Sequence, residues 1–177
     1  VITHKRPAEN QGVVGVDLGV RELAVCSNGY RVPGPKAYVE HLKKLKRLQR
    51  SLSRREKGSK RYQKRRVEIA KLHHRIRNLR LESLHQLTSY LTGHFHTIGI
   101  ENLNVSGMLK NHRLAMRIAD MGFYEFRRQL IYKAQARGCE VVIIDRYYPS
   151  SRLCRHCGQK NEALTLSDRS WTCPHCG

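Results

Sequence analysis

The chain has 177 residues, enough for one domain with a small appendage. Its 34 Lys and Arg outnumber its 14 Asp and Glu, so the formal charge is +20. A mean hydropathy of −0.59 and the lack of an apolar stretch of about 18 residues exclude a transmembrane protein, and no secretory signal pattern is visible. Because so large a positive charge repels itself, the composition favours a polyanionic partner.

The first predicted elements are short β-strands. Residues 12–20 and 23–27 are apolar runs, and Asn28-Gly29, between the second run and a third strand at residues 30–32, is a strong hairpin signal. Together they predict an antiparallel meander. Asp17 is the one carboxylate inside the first run. Since an unpaired buried carboxylate is costly, Asp17 is expected either to accept hydrogen bonds or to bind a cation.

A basic helical segment follows the meander. Residues 36–80 contain 18 Lys or Arg and 3 acidic residues, so they carry +15 while the other 132 residues carry +5. Leucine and isoleucine recur every three or four residues on both sides of Gly58-Ser59, which predicts a two-helix hairpin with an apolar seam, closed by Gly93. A charge run is usually a solvated helix face, but this ratio favours nucleic acid. The candidate nucleic-acid contacts on the hairpin are Lys43, Lys46, Arg47, Arg50, Arg54, Arg55, Lys60, Arg61, Lys64 and Arg65.

Beyond the hairpin, strand and helix patterns alternate. Residues 96–101 form a short β-like run, and residues 139–144 (CEVVII) predict a buried strand. Between them, residues 113–119 and 123–136 form an amphipathic helical stretch that is interrupted near Gly122. The order of meander, helix, strand, helix and strand predicts an α/β fold with a mixed sheet.

A second carboxylate, Glu101, lies at the end of the strand after the hairpin. If that strand neighbours the strand of Asp17, the two carboxylates converge on one point of the sheet. Hard-cation sites for Mg²⁺ or Mn²⁺ require such oxygen ligands. The alternative is that each carboxylate serves only in a turn or a cap.

The C-terminal segment carries a metal-binding pattern. Cys154-x-x-Cys157 is followed, after 15 residues, by Cys173-x-x-Cys176. This spacing suits four thiolates around a tetrahedral Zn²⁺, and the alternative is two disulfides in a secreted module. A closed site of four thiolates has no open coordination position, so the zinc is expected to be structural.

Several motifs in this order resemble the RuvC-like nuclease half of the transposon-encoded TnpB family, which is related to the type V CRISPR effector nucleases. The resemblance covers nearly the whole chain from about residue 13. Its motifs are GVDLG at residues 15–19, IENLNV at 100–105, YPSS at 148–151 leading into the first cysteine pair, and the run from Arg169 through Trp171 to the second pair.

The resemblance implies an RNase H-like (RuvC-like) domain at residues 1–150, with the basic hairpin inserted at 36–92 and a zinc ribbon at 151–177. Asp17 and Glu101 match the first two acidic motifs, which bind catalytic Mg²⁺ or Mn²⁺. Members of the family are RNA-guided DNA endonucleases, so the implied partners are guide RNA and target DNA, with no membrane and no small-molecule cofactor. Arg169 matches a family position and is a further candidate phosphate contact. The implied location is the prokaryotic cytoplasm, near the nucleoid.

One departure from the family bears on activity. The third acidic motif is expected just beyond Gly177, and the first residue is Val1 rather than Met, so we expect a piece of a longer protein that cleaves little or not at all by itself. Asp145, Glu162 and Asp168 do not match the third motif. A non-catalytic DNA- or RNA-binding regulator with the same fold is the main alternative, and a zinc-ribbon adaptor for acidic proteins is a further one.

Overall fold

A computed structural model describes residues 12–149, 151–165, 168 and 170–177 of the chain. These residues form two compact units, one that extends to Ile144 and one that spans Asp145–Gly177. In the first unit the elements are β1 (Val13–Leu18), β2 (Glu22–Cys26), β3 (Arg31–Pro33), α1 (Ala37–Ser53), α2 (Lys60–His94), β4 (Thr97–Glu101), α3 (Val105–Leu109), α4 (Ala115–Met121), α5 (Phe123–Arg137) and β5 (Glu140–Ile144). No helix in the described part of the chain is long and apolar enough to cross a membrane.

The five strands form one mixed sheet in the order β3-β2-β1-β4-β5. β2 runs antiparallel to both β1 and β3, whereas β4 runs parallel to both β1 and β5. The predicted meander and the predicted mixed α/β sheet are therefore confirmed. The two parallel pairings join segments that are distant in sequence, and the basic hairpin lies within the connection from the meander to β4.

One face of the sheet carries the apolar core. Val14 and Val16 of β1 and Ile98 and Ile100 of β4 are at most 3% exposed, and all four lie on this face. The helices α2 and α5 pack against them. These two helices contribute Leu84, Leu87, Leu91, Phe123, Phe126 and Leu130 to the core. Residues in the alternate positions of β1 and β4 belong to the opposite face, because successive side chains of a strand point to opposite sides.

The basic hairpin has a small apolar seam of its own, as the leucine periodicity predicted. Ala37, Leu45 and Leu48 of α1 pack against Leu72 and Ile76 of α2. α2 is a single helix of 35 residues, so its second half continues from this seam into the sheet core. The helix begins at a capped end, since the Ser59 side chain accepts a hydrogen bond from the backbone N–H of Tyr62 at 3.2 Å.

Two local predictions about the first unit are wrong. Gly93 does not close α2, because the helix continues to His94 and the backbone N–H of Phe95 still bonds to the Leu91 carbonyl. β5 is not buried: it is an edge strand in which Val142 and Ile143 are 41% and 39% exposed. Apolar runs predict a strand more reliably than they predict which of its faces is covered.

A buried ion pair joins three helices. The Asp120 side chain in α4 is 1% exposed and accepts a hydrogen bond from Arg80 Nε in α2 at 2.6 Å. Both of its oxygens also accept the backbone N–H of Tyr38, at 3.1 and 3.0 Å. Lys36, the residue that precedes α1, makes no side-chain cap, so Asp120 satisfies an N-terminal donor of α1 from another helix. The carboxylate therefore fixes the hairpin to the sheet unit.

We expect Asp120→Ala to lower the free energy of unfolding by about 3 kcal/mol, because it leaves a half-buried guanidinium and a helix N–H without their acceptor. Urea unfolding followed by circular dichroism measures this loss. The control is Glu22→Gln, which removes the exposed pair with Arg31 and should cost less than about 1 kcal/mol. Equal losses in the two variants would contradict a special role for Asp120.

Candidate functional site

The sheet places the two predicted acidic residues side by side. β1 and β4 are parallel neighbours with Val16 opposite Ile100, so the next pair along the strands is Asp17 and Glu101. Val16 and Ile100 point into the core, which puts both carboxylates on the opposite face of the sheet. The sequence predicted that the two carboxylates converge if their strands are neighbours, and in the structure the strands are neighbours.

Both carboxylates are exposed and unpaired. Neither carboxylate group has a hydrogen-bond or ion-pair partner among the residues that the structure describes, although Arg and Lys are abundant in the chain. Two adjacent carboxylates repel each other, and a divalent cation bound by both relieves that repulsion. Their oxygen atoms are the donor type that Mg²⁺ and Mn²⁺ prefer, so this pair of ligands fits such an ion.

No third carboxylate completes this pair within the described ranges, since the only compact group of three or more potential metal ligands found there is made of cysteines. The three other acidic candidates have local partners. Asp145 accepts the backbone N–H two positions further along, at 2.8 Å. Glu162 pairs with Lys160 at 2.7 Å, and Asp168 accepts the backbone N–H of Thr165 at 2.8 Å, a bond that lowers the pKa of Asp168.

The predicted basic contacts are mostly free of acidic partners. Of the ten candidates on the hairpin, only Arg65 forms an ion pair within the described residues, with Glu68. Four arginines converge at the C-terminal end of α1 and line an open groove with Ser51; they are Arg47, Arg50, Arg54 and Arg55. Their charge is therefore available for an anion. Arg169 lies outside the described residues.

The four cysteines of the second unit come together. Cys154 Sγ lies 3.6 Å from Cys176 Sγ, and Cys157 Sγ lies 3.6 Å from Cys173 Sγ. All four sulfur atoms lie within 4.8 Å of one another, and none forms a disulfide. A tetrahedral zinc with Zn–S bonds of about 2.3 Å separates its sulfur ligands by about 3.8 Å. The cluster therefore has the dimensions of a zinc site, and the disulfide alternative is wrong.

Each cysteine pair is followed by a turn that needs glycine. Gly158 and Gly177 have φ values of 72° and 83°, in the left-handed region that side chains disfavour. Their N–H groups donate to the carbonyls of Cys154 and Cys173, at 2.8 and 3.0 Å, which closes a tight loop around each pair. The glycines therefore shape the two halves of the cluster.

Backbone N–H groups inside these loops lower the pKa of the Cys154 and Cys173 thiols. Hydrogen bonds from the backbone of Cys157 and His156 lower the pKa of the Cys154 thiol to about 6. The pKa of Cys176 rises to about 12 instead, because the neighbouring cysteine side chains hydrogen-bond to it. Metal ligation requires thiolates, so binding of a zinc ion would displace the remaining protons.

Trp171, which belongs to the motif before the second cysteine pair, makes a structural contact. Its indole Nε1 donates a hydrogen bond to the Ser151 carbonyl at 3.1 Å, within the same unit.

Asp120 is a buried acidic residue that the sequence patterns did not single out. The pattern that could have found it is an acid between Ile118 and Met121, at positions that an amphipathic helix buries.

Two protein-family models match successive parts of the chain. The OrfB_IS605 model, described as a probable transposase, matches residues 1–112. The chain belongs to this TnpB family. A second model, the TNB domain of Cas12f1-like proteins, matches residues 123–177, which contain the cysteine cluster. The family resemblance stated from the sequence motifs is thus confirmed.

Several curated relatives of this TnpB-family chain carry nuclease names. A protein of Streptomyces pristinaespiralis named "Putative RNA-guided DNA endonuclease" is 40% identical over 164 residues, which cover 93% of this chain and 40% of that protein. InsQ of Escherichia coli K12, with the same description, is 37% identical over 91% of this chain and 44% of its own length. The CRISPR-associated endodeoxyribonuclease Cas12f1 of Sulfoacidibacillus thermotolerans is 24% identical over 62% of the chain and 26% of its own length. The chain thus spans less than half the length of these relatives.

We expect the purified chain to bind one zinc ion, and Cys154→Ser or Cys173→Ser to reduce that content because each removes one of four thiolates. Elemental analysis by mass spectrometry after dialysis measures the metal. Cys139→Ser is the matched control, since this cysteine lies outside the cluster and its Sγ bonds to the Thr92 carbonyl. Full zinc content in both cluster variants would contradict the site.

Proposed function

We propose that the full-length protein is an RNA-guided DNA endonuclease and that residues 12–144 form the core of its RuvC-like, RNase H-like nuclease domain. The observation that carries this proposal is the adjacent pair Asp17 and Glu101, unpaired and exposed on neighbouring parallel strands of a strongly basic chain. A protein that only bound nucleic acid would gain nothing from two carboxylates that repel phosphate. The names of the curated relatives support the same reaction.

Asp17 and Glu101 would hold Mg²⁺ or Mn²⁺, and the bound metal would supply an activated water and stabilise the charge of the leaving oxygen. In this proposal the carboxylates orient that site at the carboxyl end of two buried strands, where the core holds the backbone in place. A further acidic residue of the full-length protein would complete the ligand set.

The basic hairpin would bind the backbones of guide RNA and target DNA. Its arginines and lysines have almost no acidic partners in the described structure, and the arginine groove at the end of α1 presents several guanidinium groups together. Sequence would be read by base pairing with the guide, while these side chains hold phosphates without regard to sequence. The zinc ribbon would serve as a structural element, and the protein would act in the cytoplasm at the nucleoid.

A non-catalytic regulator with the same fold is the second candidate. It is favoured by one observation, that no third ligand joins Asp17 and Glu101 within the described residues. Substitution of the carboxylates distinguishes the two candidate functions, because only the nuclease requires both carboxylates for its activity.

We expect the full-length protein, loaded with its guide RNA, to cleave matched DNA in Mg²⁺. Asp17→Ala and Glu101→Ala should each reduce the rate by at least about 100-fold, since each removes a metal ligand. Gel assays of cleavage and of DNA binding provide the two measurements, and binding should persist. Asp145→Ala is the control, because that carboxylate bonds to its own loop. Wild-type protein that binds DNA but never cleaves it would support the regulator instead.

We further expect the triple variant Arg47→Ala, Arg50→Ala and Arg54→Ala to weaken RNA and DNA binding for all sequences alike. Loss of three phosphate contacts should reduce the slope of log K against log salt by about 2 to 3. Fluorescence anisotropy across a salt series measures this slope. The matched control removes Lys110, Arg113 and Arg117, which lie outside the hairpin. A slope that falls equally in both variants would contradict a specific role for the groove.

A further inference from the structure

The sheet holds the two carboxylates in different ways. The pairing of β1 with β4 extends to the row directly before them. Asp17 is also held on its other side, because it pairs with Val25 of β2. Glu101 pairs instead with Ile144 at the end of β5, the edge strand. The separation of the two carboxylates therefore depends on what fixes the end of β4.

The chain turns directly after Glu101. The Glu101 carbonyl accepts the backbone N–H of Leu103 at 3.0 Å, and the backbone N–H of Asn102 donates to the Ile144 carbonyl at 3.0 Å. Both bonds join main-chain atoms, so any residue except proline can donate them. They fix the path of the backbone as it leaves the strand, but they do not account for an asparagine at this position.

The side chain of Asn102 makes a bond that comes from outside the sheet. Its Oδ1 accepts a hydrogen bond from Nη1 of Arg127 in α5, at 3.1 Å and in a part-buried position. The core holds this part of α5 in place, since Phe126 and Leu130 are fully buried. The guanidinium group therefore ties the residue after Glu101 to a fixed helix.

This bond benefits the end of the strand rather than the helix. Polar bonds already join α5 to α2, because Lys133 donates to the Ser89 side chain at 2.9 Å and Arg137 donates to the Ser89 carbonyl at 2.8 Å. Glu101, in contrast, is exposed and is the last residue of its strand, where local opening is easiest. Loss of the bond should therefore loosen the carboxylate without unfolding the unit.

We propose that Asn102 and Arg127 are positioning residues that hold Glu101 in place for metal binding through this hydrogen bond, which we call the β4 clamp. The inference rests on the proposed nuclease function and adds two residues that bind no metal themselves. A hydrogen bond from a charged guanidinium is stronger than one between neutral groups, which suits it to this task. Loss of residues that orient metal ligands in this way typically lowers metal affinity or activity by about 10–100-fold.

The test is a double-mutant cycle with Asn102→Ala, Arg127→Ala and the variant that carries both, in the full-length protein. With guide RNA and matched DNA at low Mg²⁺, we expect each single variant to cleave about tenfold more slowly than wild type. The double variant should also be about tenfold slower, rather than about 100-fold, because both substitutions remove the same bond. Asn102→Asp keeps the acceptor oxygen and should cleave at nearly the wild-type rate.

Metal binding provides a readout that does not depend on cleavage. Mn²⁺ binding to the full-length protein without RNA, measured by electron paramagnetic resonance, should be about tenfold weaker in both single variants. The Mn²⁺ that Asp17→Ala no longer binds defines the signal of this site. DNA affinity should be unchanged, and excess Mg²⁺ should restore most of the cleavage rate. A merely structural loss would instead lower the melting temperature and leave the Mn²⁺ affinity of the folded protein unchanged.

Arg128→Ala is the matched control. Arg128 is the next residue of α5 and pairs with Glu125 of the same helix at 2.7 Å, so its substitution removes an equal charge without contact to β4. It should cleave DNA and bind Mn²⁺ like wild type. If Arg127→Ala unfolds the protein, the comparison of Asn102→Ala with Asn102→Asp still decides the outcome, because both leave α5 intact.

The results separate the β4 clamp from the proposed function. Wild-type protein that fails to cleave, or Asp17→Ala protein that cleaves normally, would overturn the nuclease proposal. Folded Asn102→Ala protein with wild-type cleavage and Mn²⁺ affinity, or a double variant about 100-fold slower than wild type, would overturn only the clamp. Arg127→Ala protein that binds DNA more weakly but Mn²⁺ normally would also overturn it, since the guanidinium would then act on phosphate directly.

Discussion

The parallel pairing of β1 with β4 is the constraint on which the rest of the first unit depends. The two strands are separated by almost 80 residues, and parallel strands require a crossover connection. That connection contains β2, β3 and both hairpin helices, so the basic segment is part of the path that brings Glu101 beside Asp17. Closing so long a loop costs entropy, which burial of Val14, Val16, Ile98 and Ile100 against the helices offsets.

α2 connects the charged and the apolar parts of the molecule. Its first half supplies Leu72 and Ile76 to the hairpin seam, and its second half supplies Leu84, Leu87 and Leu91 to the sheet core. A helix of 35 residues is about 50 Å long, so it extends the basic surface well away from the sheet. The pair between Asp120 and Arg80 lies between these halves and adds an anchor for α1. Nucleic acid bound by the hairpin would thus be held relative to the carboxylates by one continuous helix.

Much of this arrangement follows from local patterns in the sequence. Apolar runs and turn residues predicted the meander, and three-to-four spacing predicted the hairpin helices, because each element buries one face. The pairing of Asp17 with Glu101 could be stated only as a condition, since no local pattern fixes which strands become neighbours. Exposure of β5 and the contacts of Asp120 depend on distant parts of the chain in the same way. The prediction that Gly93 ends α2 was wrong because glycine ends a helix only where its backbone is left-handed, and Gly93 is not among the glycines with positive φ.

The second unit depends on a different source of stability. Of its described residues, only Cys173 is buried, and none belongs to an apolar core. A unit of this size cannot bury enough apolar surface to fold by itself, and domains below about 40 residues usually need a metal or disulfides. Because its cysteines are free and lie at zinc-ligand distances, binding of a zinc ion would be coupled to the folding of this unit. The spacing of four cysteines was therefore informative for the same reason that hydrophobic periodicity was informative in the first unit: in each case the visible pattern is the one that stabilises the fold.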